Sequence, residues 1–373
     1  MQFRLCLVWL CIGGFQGLYG QTIESYRTCQ DCHAQTAAEW KVSRHASSGI
    51  EKNPLYRLVR ERVKGREVKS CDVCHQPIGQ MGLNDYDARK LMVEGINCDV
   101  CHAAKPVKSG GWEVIPGNVK LSPHKDAVPV SHKSVYSKFL VSSQSCLSCH
   151  GGKEKNKNTV CSSETEYRKS EFAAKGVTCQ DCHMPVMEGK TTELGKIREV
   201  HTHVFYGAYN AEILRNCADL QMTLAPSTDE LVVTVRVSNR TAGHALPGGS
   251  PLRLIALRLQ AFDDAGGIVW QNYYNSPFED PKALFARLYA ADDADALTAP
   301  WEGVPLRADQ RLKPKESRTL TYSLPKENIH HITAALDYFL MAPFLAERFG
   351  LPPKPYSTPI TIVTVSESFN DKR

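Results

Sequence analysis

The chain has 373 residues, 42% of them hydrophobic and 23% charged, with a formal net charge of +5. Its length suits one large domain or two ordinary ones. Beyond the first twenty residues no apolar stretch approaches the length a transmembrane helix needs, which excludes a multi-spanning helical membrane protein.

Residues 1–20 read as an export signal. Arg4 supplies a positive charge, and residues 5–12 form an apolar run too short to span a bilayer. Cleavage is expected near Gly20. Leu18 is a weak fit three positions before that cut, and Val8-Trp9-Leu10 before Cys11 lacks the small residues of a lipid-attachment site. An uncleaved signal anchor stays open as the alternative.

One pentapeptide pattern, Cys-x-x-Cys-His, then occurs five times: Cys29/Cys32/His33, Cys71/Cys74/His75, Cys98/Cys101/His102, Cys146/Cys149/His150 and Cys179/Cys182/His183. Chance gives about 0.02 such pentapeptides at this cysteine and histidine content, so composition does not produce five. The pattern is the attachment signature of c-type haem: two thiols bind the porphyrin covalently and the adjacent imidazole becomes the proximal iron ligand. Zinc or redox Cys-x-x-Cys pairs would leave the recurring histidine unexplained. The cofactor expected is therefore haem c, five copies, covalently attached.

Export and haem attachment agree, because covalent attachment takes place outside the bacterial cytoplasm. Of fourteen cysteines, ten lie in the motifs and Cys6 and Cys11 leave with the signal. Cys161 and Cys217 remain, an even count in a disulfide-permissive compartment. Their pairing, worth about 3–4 kcal/mol on the chain-entropy model, and two unpaired thiols are both open.

Losing Arg4 leaves +4, and five oxidised haems at about −1 each bring the holoprotein to roughly −1. Nucleic acid is not an expected partner. Lys and Arg near the haems suit propionates instead, and residues 153–157 (Lys-Glu-Lys-Asn-Lys) suit a solvated loop rather than a docking patch.

Between Cys29 and His183 the chain spends about 31 residues per motif. Residues 51–64, 85–94 and 164–175 read as short amphipathic helices. So thin a polypeptide cannot build an ordinary side-chain core, so porphyrins must supply much of the buried apolar surface and attachment should couple to folding.

The pattern changes near residue 217. Leu231, Val233, Val235 and Val237 alternate with more polar neighbours, as do Ile255, Leu257, Leu259 and Ala261. Residues 263–267 (Asp-Asp-Ala-Gly-Gly) predict a hairpin turn into a strand over 268–273, and further strands are expected at 317–324, 331–340 and 360–365. Residues 277–314 read as a long, partly helical loop. The fold class expected is α+β with two domains: after the signal, a mostly helical, loop-rich multihaem domain over 21–217 and an immunoglobulin-like β-sandwich over 218–373.

The second axial position decides what each iron can do. Eight histidines lie outside the motifs. His45, His124, His132, His203 and His244 are the candidate distal ligands. His201 and His203 alternate on one extended segment, so one should face a porphyrin and the other point away. His330 and His331 open a strand and are not favoured. Met81, Met92, Met184 and Met187 read as packing residues.

These features together resemble the cytochrome c-554 class of multihaem cytochromes. The carriers are Trp40-x-x-Ser43-x-His45, residues 95–102 (Gly-Ile-Asn-Cys-Asp-Val-Cys-His), residues 176–185 (Gly-Val-Thr-Cys-Gln-Asp-Cys-His-Met-Pro), and the stretch from Pro123-His124 to His132. The match covers roughly residues 25–210. It implies a mostly helical domain with closely stacked haems, mainly bis-histidine ligation, and electron shuttling in the periplasm or at the cell surface. The class commonly has four haems, so a fifth motif leaves the stacking order open. Residues 244–248 (His-Ala-Leu-Pro-Gly) and the strands around them are similar to a β-rich tail of some bacterial multihaem cytochromes, which implies that His244 reaches a haem across the domain boundary.

The leading expectation is a non-catalytic electron carrier, exported to the periplasm or the outer cell surface, passing electrons between donor and acceptor cytochromes or reductases. Two alternatives stand beside it. One is a haem-based oxidoreductase reducing a small nitrogen or sulfur oxyanion at an open-sided haem. The other is a subunit of a self-associating or membrane-associated electron conduit.

Overall fold

The computed structural model describes residues 23–62, 66–107, 111–151, 163–290, 297–302 and 304–369. The expected signal, the 153–157 run and Cys161 lie outside the described residues. Cys217 is buried, and its thiol donates to the Leu214 carbonyl at 2.9 Å.

The motif-bearing half is a set of short helices and two-stranded pairs. The cysteines of every motif sit on or at the end of a helix: Tyr26–Gln30, Arg66–His75, Cys98–His102, Gln144–His150 and Cys179–His183. Helical winding brings residues three apart to one edge, which is how two thiols of one motif come to serve one planar group. Local side chains start these turns. Asn97 accepts from the Asp99 N–H, and Thr178 with Asp181 forms a reciprocal capping box.

The expected helices appear as Pro54–Arg62 and Asp85–Met92, and the third is divided into Ser163–Arg168 and Glu171–Ala174. The division has a local cause: the Ser170 hydroxyl accepts from the Ala173 N–H and starts a new helix. Six short strands complete this half: β1 (Ala104–Pro106), β2 (Trp112–Val114), β3 (Val119–Ser122), β4 (Lys133–Tyr136), β5 (Val186–Lys190) and β6 (Ile197–His201). They pair as β1-β2, β3-β4 and β5-β6, with β3 and β4 parallel. The side-chain core here is small: Ile23, Ile78, Met81, Leu91, Val100, Ala103, Ala104 and Val114.

Among the described residues nine further strands follow: β7 (Ala218–Pro226), β8 (Glu230–Asn239), β9 (Leu254–Phe262), β10 (Ile268–Gln271), β11 (Leu284–Tyr289), β12 (Leu306–Asp309), β13 (Ser317–Pro325), β14 (His331–Phe339) and β15 (Ile360–Ser368). One sheet runs β12-β11-β9-β14-β15 with β10 also on β9, and the other runs β13-β8-β7. Leu231, Val233, Val235 and Val237 of β8 meet Leu257, Leu259, Leu336 and Ile332 of the larger sheet in one core, so the two sheets stack as a sandwich. The hairpin expected over 263–267 is present: Gly266 takes φ 81°, and the Gly267 N–H donates to Asp263 Oδ1.

Residues 277–314 differ from the expected loop, because they contain β11 and β12. Leu284, Phe285 and Ala286 are all buried, so β11 carries no period-two signature and does not read as a strand from sequence. The far face of the larger sheet is covered by Leu345 and Ala346 of the helix Pro343–Arg348 and by Leu55 and Leu58 of Pro54–Arg62. The motif-bearing half and the sandwich therefore share packed surface.

Candidate metal centres

Four of the five motif histidines face a second imidazole. Ring centroids lie 6.5 Å apart for His33 and His132, 6.4 Å for His102 and His203, 6.2 Å for His150 and His45, and 6.2 Å for His183 and His244. A metal–nitrogen bond of about 2 Å on each side, plus about 1 Å from nitrogen to ring centre, gives roughly 6 Å between centroids. Each of the four gaps would therefore admit one metal atom held by both imidazoles.

The rings are aimed by their other nitrogen. Nδ1 of His33, His102 and His183 bonds the carbonyls of Thr191, Leu121 and Tyr206, and Nδ1 of His203 and His244 bonds those of His201 and Ala245. An Nδ1–H committed to a carbonyl leaves the Nε2 lone pair for a metal. Burial, with neighbouring imidazoles adding to it, pushes His45 down to about 3 and His150 and His203 down to about 4. These imidazoles are neutral near pH 7, the form that ligates.

His75 differs. Among the described residues no imidazole faces it; the Tyr56 ring stacks on it at 4.2 Å with planes 12° apart. Tyr56 donates to Asp72, which Arg60 grips in bidentate fashion at 3.0 and 3.1 Å. Nearby, Asp72, Gln76, Gly79, Arg89 and Met92 line a cavity of about 260 Å³. The Gln76 Oε1 is buried there without a hydrogen-bond donor among the described residues.

The remaining histidines are placed as follows. The structure brings His124 to no motif histidine; the charged groups around it are Arg198, Asp126 and His201. His201 points its Nδ1 at the Met184 carbonyl at 2.6 Å, while its alternating neighbour His203 is the one opposite a motif. His331 stacks on Phe262 in the sandwich. Sequence reasoning passed over Tyr56, which carries no local signal. It also passed over Phe205, whose ring contacts both His45 and His203.

Contacts between motifs set the order of the sites. The Cys29 and Cys98 side chains lie beside each other, as do those of Cys146 and Cys179. The first motif therefore lies beside the third, and the fourth beside the fifth. His45, opposite the fourth motif, and His203, opposite the third, both contact the Phe205 ring. Cys74 of the second motif reaches the Cys149 carbonyl of the fourth.

Residues 28–103, which hold the first three motifs, match the family model described as cytochrome c554 and c-prime. The fold is similar to that of a penta-heme cytochrome c552 from Thermochromatium tepidum, with a TM-score of 0.75 and 24% identity over 93% of this chain and 99% of that one. Over residues 28–103 the chain resembles c-type cytochromes, and its fold as a whole resembles a multihaem one. No curated protein sequence matches it. The resemblance in fold covers 93% of the chain, strands as well as the motif-bearing half, and no helix among the described residues is long and apolar enough to cross a membrane.

Proposed function

We propose that this protein is an exported electron carrier that holds five covalent haem c groups, four of them between two histidines. The observation that carries the reading is the set of four imidazole pairs separated by 6.2–6.5 Å. His33 with His132, His102 with His203, His150 with His45 and His183 with His244 would be the axial pairs, and His75 would hold the remaining group from one side. Bound haem supplies reversible one-electron chemistry at iron; the chain supplies its spacing and its dielectric.

The contacts between thiols and between distal imidazoles support a run of sites in the order first, third, fourth, fifth, with the second branching from the fourth. Two ends and a branch suit a protein that receives electrons from one partner and delivers them to another. In this reading residues 21–217 form the haem domain and 218–373 an immunoglobulin-like sandwich that orients it. The site is the periplasm or the outer cell surface, and the partners are donor and acceptor cytochromes or reductases.

A second reading, reduction of a small nitrogen or sulfur oxyanion, is favoured by one observation: among the described residues no imidazole faces His75, and its neighbour Gln76 lines a cavity with Asp72 and Arg89. The experiment for both is the same. The dithionite-reduced protein is mixed with nitrite or sulfite under anaerobic conditions and its reoxidation followed by its α-band. Reoxidation faster than the buffer control supports the oxidoreductase; a stable reduced spectrum, with rapid exchange to a second cytochrome, supports the carrier.

A further inference from the structure

His244 does not belong to the motif-bearing half. It sits in the connection between β8 and β9, and its loop is held from both sides. From the sandwich, Asn239 Nδ2 donates to the His244 carbonyl at 3.0 Å and to the Leu312 carbonyl at 3.1 Å. Leu246 and Leu312 exchange backbone hydrogen bonds at 2.8 and 3.0 Å. From the motif-bearing half, Phe172 packs against Gly243 and Glu166 of the helix Ser163–Arg168 supplies a carboxylate. Its Oε2 accepts from the Ala245 N–H at 2.9 Å, on the residue immediately after the ligand. Its Oε1 accepts from Arg311 at 2.5 Å and lies 3.4 Å from Arg287. Both arginines are almost fully buried and also pair with Asp309 of β12.

A carboxylate shared by two buried guanidiniums is expensive to desolvate, and loss of one partner leaves buried charge unmatched. Such a cluster is weak evidence for stability and a good means of fixing a register between two surfaces. We propose that Glu166 is a positioning residue that couples the seating of the sandwich to axial ligation at the fifth site: while the carboxylate holds the Ala245 N–H, His244 stands opposite His183, and when the seam opens that site loses its second imidazole. The inference rests on the proposed His183/His244 pair.

The test uses the full-length, haem-loaded protein and three variants. Carbon monoxide bound per chain after reduction, and the high-spin ferric signal of the oxidised protein, are the readouts. The unaltered protein binds one carbon monoxide, at His75. Glu166→Ala raises this towards two and roughly doubles the high-spin signal, while Glu166→Gln, whose amide oxygen still accepts from Ala245, stays near one. His244→Ala is the reference and also gives two. If His244→Ala leaves the count unchanged, the His183/His244 assignment fails. If His244→Ala raises it and Glu166→Ala does not, or if Gln behaves as Ala does, the coupling is overturned. Should Glu166→Ala not mature, Glu166→Met, which likewise removes the acceptor facing the Ala245 N–H, carries the same expectation.

Discussion

His183 and His244 face each other with ring planes 13° apart, although one ends a Cys-x-x-Cys-His helix and the other lies between two strands of the sandwich. A bound iron there would join the two halves of the chain by a coordinate bond. Folding of the sandwich and completion of that site are then linked, because a metal held by both surfaces stabilises only the arrangement in which they meet.

Gly248 should be irreplaceable for the same reason. A Cβ at this position would run into Cε1 and Nδ1 of His244. Gly248→Ala should therefore displace the imidazole and convert one haem of five to high spin, with the sandwich still folded by far-UV circular dichroism. A spectrum identical to the unaltered protein would contradict the placement of His244.

Replacing His45, His132 or His203 singly with alanine should each cost one bis-histidine signal and shift one midpoint potential upward. His124→Ala should change neither, since His124 faces no motif histidine. Optical redox titration checks all four. A loss of one low-spin haem in His124→Ala would place that residue at an iron.

Acid should destabilise the fold in a defined range. Folded-state values of about 3 for His45 and about 4 for His203 lie below the ordinary 6.5, so the unfolded chain binds more protons between these limits. Stability to denaturant should be level above about pH 6.5 and fall steadily as pH drops towards about pH 4. A stability unchanged between about pH 7 and about pH 4 would mean that burial does not keep the rings neutral.

Leu257, fully buried in β9 between the sheets, should cost ~2–5 kcal/mol when cut to alanine. Denaturant unfolding followed by tryptophan fluorescence measures it. A loss below ~1 kcal/mol would mean the sandwich core lies elsewhere.

Much of this was legible in the sequence, and the reasons differ by element. The five motifs are contiguous pentapeptides whose chemistry is local, and β8 and the second half of β9 alternate because one face meets the opposing sheet. β11 was not legible, since Leu284–Phe285–Ala286 is buried on both faces and has no period. The distal histidines were recognisable as a group, from their number and from the two that flank residues 124–132. Which motif each would face was not, because the pairing of His45 with His150 rather than His33 is decided by packing across the molecule. Tyr56 beside His75 had no signal at all, because its ring stack is made by packing that nothing near it in sequence marks.

The measurement that bears most directly on the account is spin quantitation by electron paramagnetic resonance of the fully oxidised protein, normalised to haem content by the pyridine haemochrome. Five haems per chain are expected, four of them low-spin with two imidazoles and one, at His75, not. Fewer than four bis-histidine signals would contradict the imidazole pairs as ligands, and five would contradict the one-sided site at His75.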